Sequence, residues 1–316
     1  MKQTHLKDRY FITGGSGFVG SNIVRTLVQV GAHVALFVRS KKLNWRLSDL
    51  KGITTIYEGD ILHTNFTSVF ARERPTVIFH LAAYGTMPQE RKFDDMVDVN
   101  VKGLARMLSS AQGSTIRLFV NTGSSSEYGP KEKKMRESDT ISPVNDYGVT
   151  KARATLLCQK TARNSSFSIV TLRLFSPYGY FEQPTRFIPS VIRSAITGLP
   201  LFATSALFVR DFVFIEDVVR AYLYAAQRSD STVNGHSINI GSGCQHSLGD
   251  VVSCVEKIIK KKLDVRWEAK SCQQRQIEPK RWEADIVKAE QLLGWKPRVS
   301  LESGLEKTIA WMKRAH

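Results

Sequence analysis

Apolar residues along the chain gather in short unbroken runs, and the stretches between them carry apolar positions at helical spacing. Arg9–Thr13 (RYFIT) reads as a short strand and Val34–Val38 (VALFV) as a second, buried one. Thr54–Tyr57, Thr76–His80, Ile116–Thr122 and Ile169–Leu174 continue the series. Runs without polar alternation suit strands covered on both faces, as in parallel sheets. Helical stretches lie between them, at Phe18–Val30, near Asp94–Gln112 and from about Asp146 to Arg163. Strand and helix alternating in this way predict an α/β fold built on a doubly wound parallel sheet.

After Phe175 the rhythm changes. Pro177, Pro184, Pro189 and Pro200 punctuate loops around one helix, about Phe187–Thr197. Further on, Phe212–Ile215, the helix Glu216–Arg228 and the strand Ser237–Ile240 look like returns to the main sheet. The expected organisation is a first domain over residues 1–175, with 212–240 returning to it, and a smaller α/β lobe within 176–316. Such a lobe would close over the strand ends, where ligands of these sheets bind.

Composition narrows the functional classes. The chain has 316 residues, 42% hydrophobic and 23% charged, ordinary for a globular protein with a real core. Its formal charge is +16, from 45 basic and 29 acidic residues. That charge gives a basic surface and could steer a polyanionic ligand. No basic tail or aromatic-interleaved basic stripe accompanies it, so a nucleic acid is not an expected partner. The four cysteines form no C-x-x-C pair, which argues against a zinc or other metal site and for a reducing compartment. The N-terminus is polar and no apolar run approaches the ~18 residues a membrane span needs. A cytoplasmic location is expected.

Two local patterns carry chemistry. The first strand runs directly into Gly14-Gly15-Ser16-Gly17-Phe18-Val19-Gly20, then helix, then strand, the setting a dinucleotide-binding Rossmann turn requires. Gly14 would permit the tight turn, Gly17 the approach of a pyrophosphate, and Gly20 close packing of helix on strand. The helix N-terminus would then present free N–H groups to the phosphates. The second pattern is Tyr147 with Lys151, one helical turn apart on one face. A phenol beside an ammonium ion ionises more readily, and could exchange a proton with a sugar hydroxyl or keto oxygen. His80 and Cys158 read as buried structural residues.

The chain resembles, nearly end to end, the extended short-chain dehydrogenase/reductase family, the NAD-dependent epimerase/dehydratase group that modifies nucleotide sugars. The carriers are GGSGFVG at 14–20, Gly59-Asp60-Ile61, His80-Leu81-Ala82-Ala83, Asn100 in VNVKG, GSSSEYG at 123–129 and YGVTK at 147–151. LRLFSPYG at 172–179, Arg210-Asp211-Phe212 and Leu293-Gly294-Trp295-Lys296-Pro297 follow in order. The resemblance implies Tyr147 as general acid/base, Lys151 as a hold on the nicotinamide ribose that also lowers the Tyr147 pKa, and Ser124 as third catalytic member, with Ser125 an alternative. It implies cofactor contacts from Gly14, Ser16, Gly17, Phe18, Val19 and Gly20 at the first turn. Asp60 and Ile61 would hold the adenine, and Leu81, Ala82 and Ala83 would line pyrophosphate and ribose. Asn100, Thr122 and Phe175 complete this set. Implied substrate contacts are Thr86, Ser125, Ser126, Ser176, Arg186, Arg210 and Arg275.

Where NAD-dependent members carry an acid, at the end of the second strand, this chain has Val38 followed by Arg39 and Ser40. A guanidinium can grip a 2′-phosphate, so NADP(H) is expected in preference to NAD(H). From that follows the first functional expectation, an NADPH-dependent reductase of a nucleotide-linked 4-keto-6-deoxy sugar. A nucleotide-sugar 4-epimerase is the alternative. A dehydratase is less favoured, because Ser125-Ser126 stand where that branch carries an Asp-Glu pair, unless a gap realigns Glu127. The resemblance also implies a homodimer, paired through a four-helix bundle of the two long helices.

Overall fold

The structure is a computed structural model and describes residues 7–40, 45–53, 55–87, 89–228, 232–267 and 281–315. In chain order the first half is β1 (Arg9–Thr13), α1 (Phe18–Gln29), β2 (His33–Val38), β3 (Thr55–Glu58), α2 (Phe66–Glu73), β4 (Val77–His80), α3 (Phe93–Val97), α4 (Leu104–Ala111), β5 (Leu118–Ser124), α5 (Asp146–Ala162) and β6 (Ser168–Leu174). These strands and β11 (Ser237–Ile240) form a seven-stranded sheet in the order β11-β6-β5-β4-β1-β2-β3, parallel throughout. Its α/β, Rossmann-like form is the one the apolar runs predict.

The alternation of side chains across each strand sends residues to two cores. Tyr10 and Ile12 join one cluster with Ile23, Val24 and Leu27 of α1. Phe11 joins the other, with Phe66 and Phe70 of α2, Met107 of α4 and Cys158 of α5. Both faces of the sheet are therefore covered, which is why its strands have no polar face.

Between β6 and β11 come β7 (Ser176–Tyr178), α6 (Phe187–Thr197), β8 (Leu201–Ala203), β9 (Val209–Arg210), β10 (Phe212–Phe214) and α7 (Ile215–Gln227). The chain ends with β12 (His246–Ser247), α8 (Leu248–Ile259), β13 (Val265–Trp267), α9 (Val287–Leu293) and α10 (Leu301–Ala315). Of the stretch expected to return to the main sheet, Ser237–Ile240 pairs with β6, whereas Phe212–Phe214 pairs with β7 in a sheet of two strands. The first core runs on without a break into α6, α8 and α10 through Ile188, Val191, Val251, Val255, Leu305 and Ile309.

One predicted helix is interrupted. Between α3 and α4, Asp98–Gly103 forms a π turn, a device that absorbs an extra residue and often marks a functional site. It turns Asn100 inward, where its amide donates to Tyr84 O at 2.9 Å and Thr150 Oγ1 at 3.0 Å, and accepts from Tyr84 N at 2.8 Å. Gly103 lies against Ile61, leaving no room for a side chain.

Candidate active site

A cleft of about 1720 Å³ opens at the C-terminal ends of β1, β4, β5 and β6 and is roofed by the later segments. At one end sits the glycine turn. Gly14 has φ +69°, and a Cβ there would lie 2.5 Å from Ala82 N; a Cβ on Gly20 would lie 2.2 Å from Gly14 O. Gly17 has ordinary extended backbone as the N-cap of α1, and a Cβ on it would touch only Gly14 O, at 3.1 Å. Its bareness faces the cleft, as an approaching phosphate needs. Thr13 ties β1 to β4, accepting from Ala82 N at 3.3 Å and pairing with His80 Nδ1 at 2.8 Å. Burial holds the His80 imidazole neutral, its pKa pushed down to about 3.

Ser16, Gly17, Phe18, Val19, Asp60, Ile61, Leu81, Ala82, Ala83, Thr122 and Phe175 all line the cleft. Asn100 does not: its bonds to Tyr84 and Thr150 use its amide, and it supports the wall rather than forming it. Arg39 stands exposed at the rim, and Ser40, also exposed, is not part of the lining. Thr122 Oγ1 is 2.6 Å from Tyr222 OH.

At the centre, α5 begins beside the end of β5. Asn145 caps α5, its Oδ1 accepting from Gly148 N at 2.7 Å. A Cβ on Gly148 would lie 2.4 Å from Ser126 O, so the helix rests directly on the serine turn. Tyr147 is half-buried and Lys151 buried, and both face the cleft. Burial pushes the Tyr147 phenol up to about 12; Glu127 and Glu90 push the same way and Arg186 opposes them. Burial lowers the pKa of Lys151.

The serine turn is fixed from behind. Ser124 Oγ accepts from Ser126 N at 3.1 Å, and Ser124 N donates to Glu127 Oε1 at 2.8 Å. Glu127 is fully buried and pairs through Oε2 with Arg173 Nε at 2.7 Å. Arg173 also donates to Tyr128 OH, which donates to Asn239 Oδ1 at 2.7 Å. Glu127 is thus committed to this network and faces away from the cleft. Ser125 Oγ accepts from Trp282 Nε1 at 3.1 Å. Trp282 itself carries the Arg210 guanidinium 5.4 Å above its ring. Thr86 O accepts from Arg186 Nη2 at 2.5 Å, and Ser176 lines the same wall. Arg275 lies outside the described residues.

The sequence does not single out Thr150, Arg173, Tyr84, Trp282 or Glu182. Thr150 had a signal, lying between Tyr147 and Lys151 in one short motif. Arg173 had one too, lying within LRLFSPYG at 172–179, whereas Tyr84, Trp282 and Glu182 reach the site only through the tertiary fold.

The sequence profile of the NAD dependent epimerase/dehydratase family matches residues 10–241. The uncharacterized UDP-glucose epimerase YtcB of Bacillus subtilis is 30% identical over 96% of this chain and 98% of that protein. Human dTDP-D-glucose 4,6-dehydratase is 26% identical over 96% and 90%. Among solved structures, MoeE5 in complex with UDP-glucuronic acid and NAD has a TM-score of 0.85 at 28% identity, covering 98% of this chain and 100% of that one. A UDP-glucuronic acid 4-epimerase from Bacillus cereus, in complex with UDP-glucuronic acid and NAD, has a TM-score of 0.82 at 28% identity over 98% and 100%.

These neighbours hold NAD, and that overturns the expectation of NADP(H) drawn from Arg39 and Ser40. The physical reason is that a guanidinium at this rim is not committed to a phosphate. An exposed arginine can equally lie over the face of an adenine ring. On a chain of net charge +16, one more cation is weak evidence of either.

Proposed function

This chain belongs to the NAD dependent epimerase/dehydratase family, and on that premise we propose that it is an NAD-dependent 4-epimerase of a nucleotide-linked hexose or hexuronate. The glycine cradle fits a dinucleotide: Gly17 leaves the N-terminus of α1 open, and the cleft is large enough for two nucleotide ligands. When bound, NAD would supply the hydride acceptor for oxidation at the sugar C4 and the donor for return to the opposite face.

Tyr147 takes the proton of the C4 hydroxyl as the hydride leaves and gives it back on return. Ser124, which is half-exposed and lines the cleft, hydrogen-bonds the same oxygen. Lys151 supplies positive charge and holds the nicotinamide ribose. In a water-poor cleft these preset donors act more strongly than they would in water. Gly14, Ser16, Phe18, Val19 and Gly20 serve the cofactor diphosphate, with Asp60, Ile61, Leu81, Ala82, Ala83, Thr122 and Phe175 along its length. Thr86, Ser125, Ser126, Ser176, Arg186 and Arg210 serve the substrate.

The observation that carries epimerisation over dehydration is the serine turn. Ser125 and Ser126 stand where an elimination would need acids, and Glu127 is locked in its pair with Arg173. The net reductase expected from the sequence depended on NADPH and is withdrawn with it. The chain would act as a homodimer, with residues 176–316 forming most of the substrate lobe. Among the described residues no helix is long and apolar enough to cross a membrane. The cysteine pattern suits a reducing compartment, and on that ground we place the enzyme in the cytoplasm.

The test is incubation with UDP-glucose, UDP-glucuronic acid and dTDP-glucose, with NAD present, read by proton NMR of the anomeric signals. The 4-epimer, formed without accumulation of NADH, is expected from at least one. A 4-keto-6-deoxy product, or NADH formed in proportion to product, would overturn the reading.

A further inference from the structure

The loop that follows β4 carries a carboxylate that the mechanism above does not use. Glu90 lines the cleft, and one of its oxygens, Oε2, accepts from Gly85 N at 3.0 Å, Thr86 N at 3.0 Å and Met87 N at 3.1 Å. Three successive backbone amides converging on one oxygen make a nest for an anion. They leave that oxygen no room for a ligand. The other oxygen is placed differently. No described residue bonds Oε1 and it is not sealed from solvent, so it is the oxygen the cleft sees.

Two observations set where that oxygen acts. Thr86, whose N–H is held by Glu90, accepts through its carbonyl from Arg186 Nη2 at 2.5 Å, which clasps this loop to the start of α6. The Tyr147 phenol feels the charges of both Glu90 and Arg186, so the carboxylate stands within electrostatic range of the group that handles the C4 proton. Epimerisation at C4 also requires the sugar ring to offer both faces to one hydride position. Its C6 group therefore passes on either side of Tyr147.

From this arrangement we propose that Glu90 determines specificity: its open Oε1 accepts a hydrogen bond from a hydroxyl of a neutral hexose and repels a carboxylate at C6. The substrate is then a nucleotide-linked hexose and not a hexuronate. The proposal rests on reading the cleft as the site of a nucleotide-sugar 4-epimerase, and narrows that reading. Arg186 brings the opposite charge to the same loop, so removing the charge of Glu90 alone leaves a cation free to draw a carboxylate in.

Glu90→Gln isolates the charge. The three amides demand an acceptor, so the glutamine carbonyl should replace Oε2 in the nest and turn its NH₂, a donor, into the cleft. UDP, UDP-glucose and UDP-glucuronic acid are each titrated by calorimetry into wild type and variant, with NADH bound so that no sugar is oxidised. Wild type should bind UDP-glucose about tenfold or more tighter than UDP-glucuronic acid, a ratio that tests the charge without any variant. In Glu90→Gln that ratio should fall at least about tenfold, while UDP stays within about threefold of wild type. A wild type without the preference, an unchanged ratio in the variant, or a loss shared equally by all three ligands would overturn the proposal alone. A wild-type chain that binds none of the three would overturn the cleft reading along with it.

Discussion

The fold by itself holds Tyr147 as the phenol, so to take the C4 proton it must first give up its own. Burial and the charges of Glu127 and Glu90 outweigh Arg186, and the phenol rises from 10.0 to about 12. Because the folded value lies above the unfolded one, its stabilising contribution is whole below pH 10 and lost as pH rises through about 12. An ultraviolet difference titration of wild type against Tyr147→Phe should accordingly find this tyrosine ionising near the upper end of that window in the ligand-free chain. The same variant should lose about 10²–10⁴-fold in turnover while NAD affinity by calorimetry stays near wild type, as loss of a general acid/base alone would give. Glu182 obeys the same sign with a different window. Burial raises its pKa from 4.5 to about 8, so its contribution is whole below pH 4.5 and gone above about pH 8. Unfolding midpoints of wild type should fall relative to Glu182→Gln as pH is raised across that interval.

Catalytic geometry is set where elements touch without side chains between them. The first turn of α5 lies on the serine turn, and Gly148 makes this possible, since any Cβ there would meet Ser126 O. The same turn of α5 is tied to the π turn through Thr150 and Asn100. Alanine favours helices over glycine by about 1 kcal/mol. Gly148→Ala should nevertheless destabilise by about 1–3 kcal/mol, because overpacking against backbone outweighs that gain. Denaturant unfolding would measure this, and turnover should fall at least about tenfold as Tyr147 and Ser124 are pushed apart. Behind the serine turn, the Glu127–Arg173–Tyr128–Asn239 chain ties the segment that follows β5 to the C-terminal ends of β6 and β11. Two neighbouring strands thereby hold the serine turn that β5 leads into.

At the scale of the molecule, most large apolar side chains are absorbed by the two cores, yet Leu156 on α5 is left 57% exposed. On the proposed dimer this residue lies in the helical seam, and Leu156→Glu should shift the sedimentation coefficient from dimer to monomer; a monomeric wild type would refute the seam. The parallel sheet, its helices, the glycine turn and the Tyr147–Lys151 spacing were all legible in the sequence. Each follows from a local rule, the periods of strand and helix or the steric freedom of glycine, that neighbours in the chain already express. The interruption at Asp98–Gly103 was not legible, because it depends on what Asn100 can reach. Nor was the fate of Glu127, which a carboxylate's place in a motif leaves open until Arg173 is brought beside it from 46 residues away. Arg39 is the clearest instance: a cation at a strand end has several partners open to it, and residue type does not choose among them. Sequence determined which elements form and where chemistry could sit. Burial and partnership, which exist only once distant segments meet, decided that Glu127 supports the site and that the charge of Glu90 reaches Tyr147.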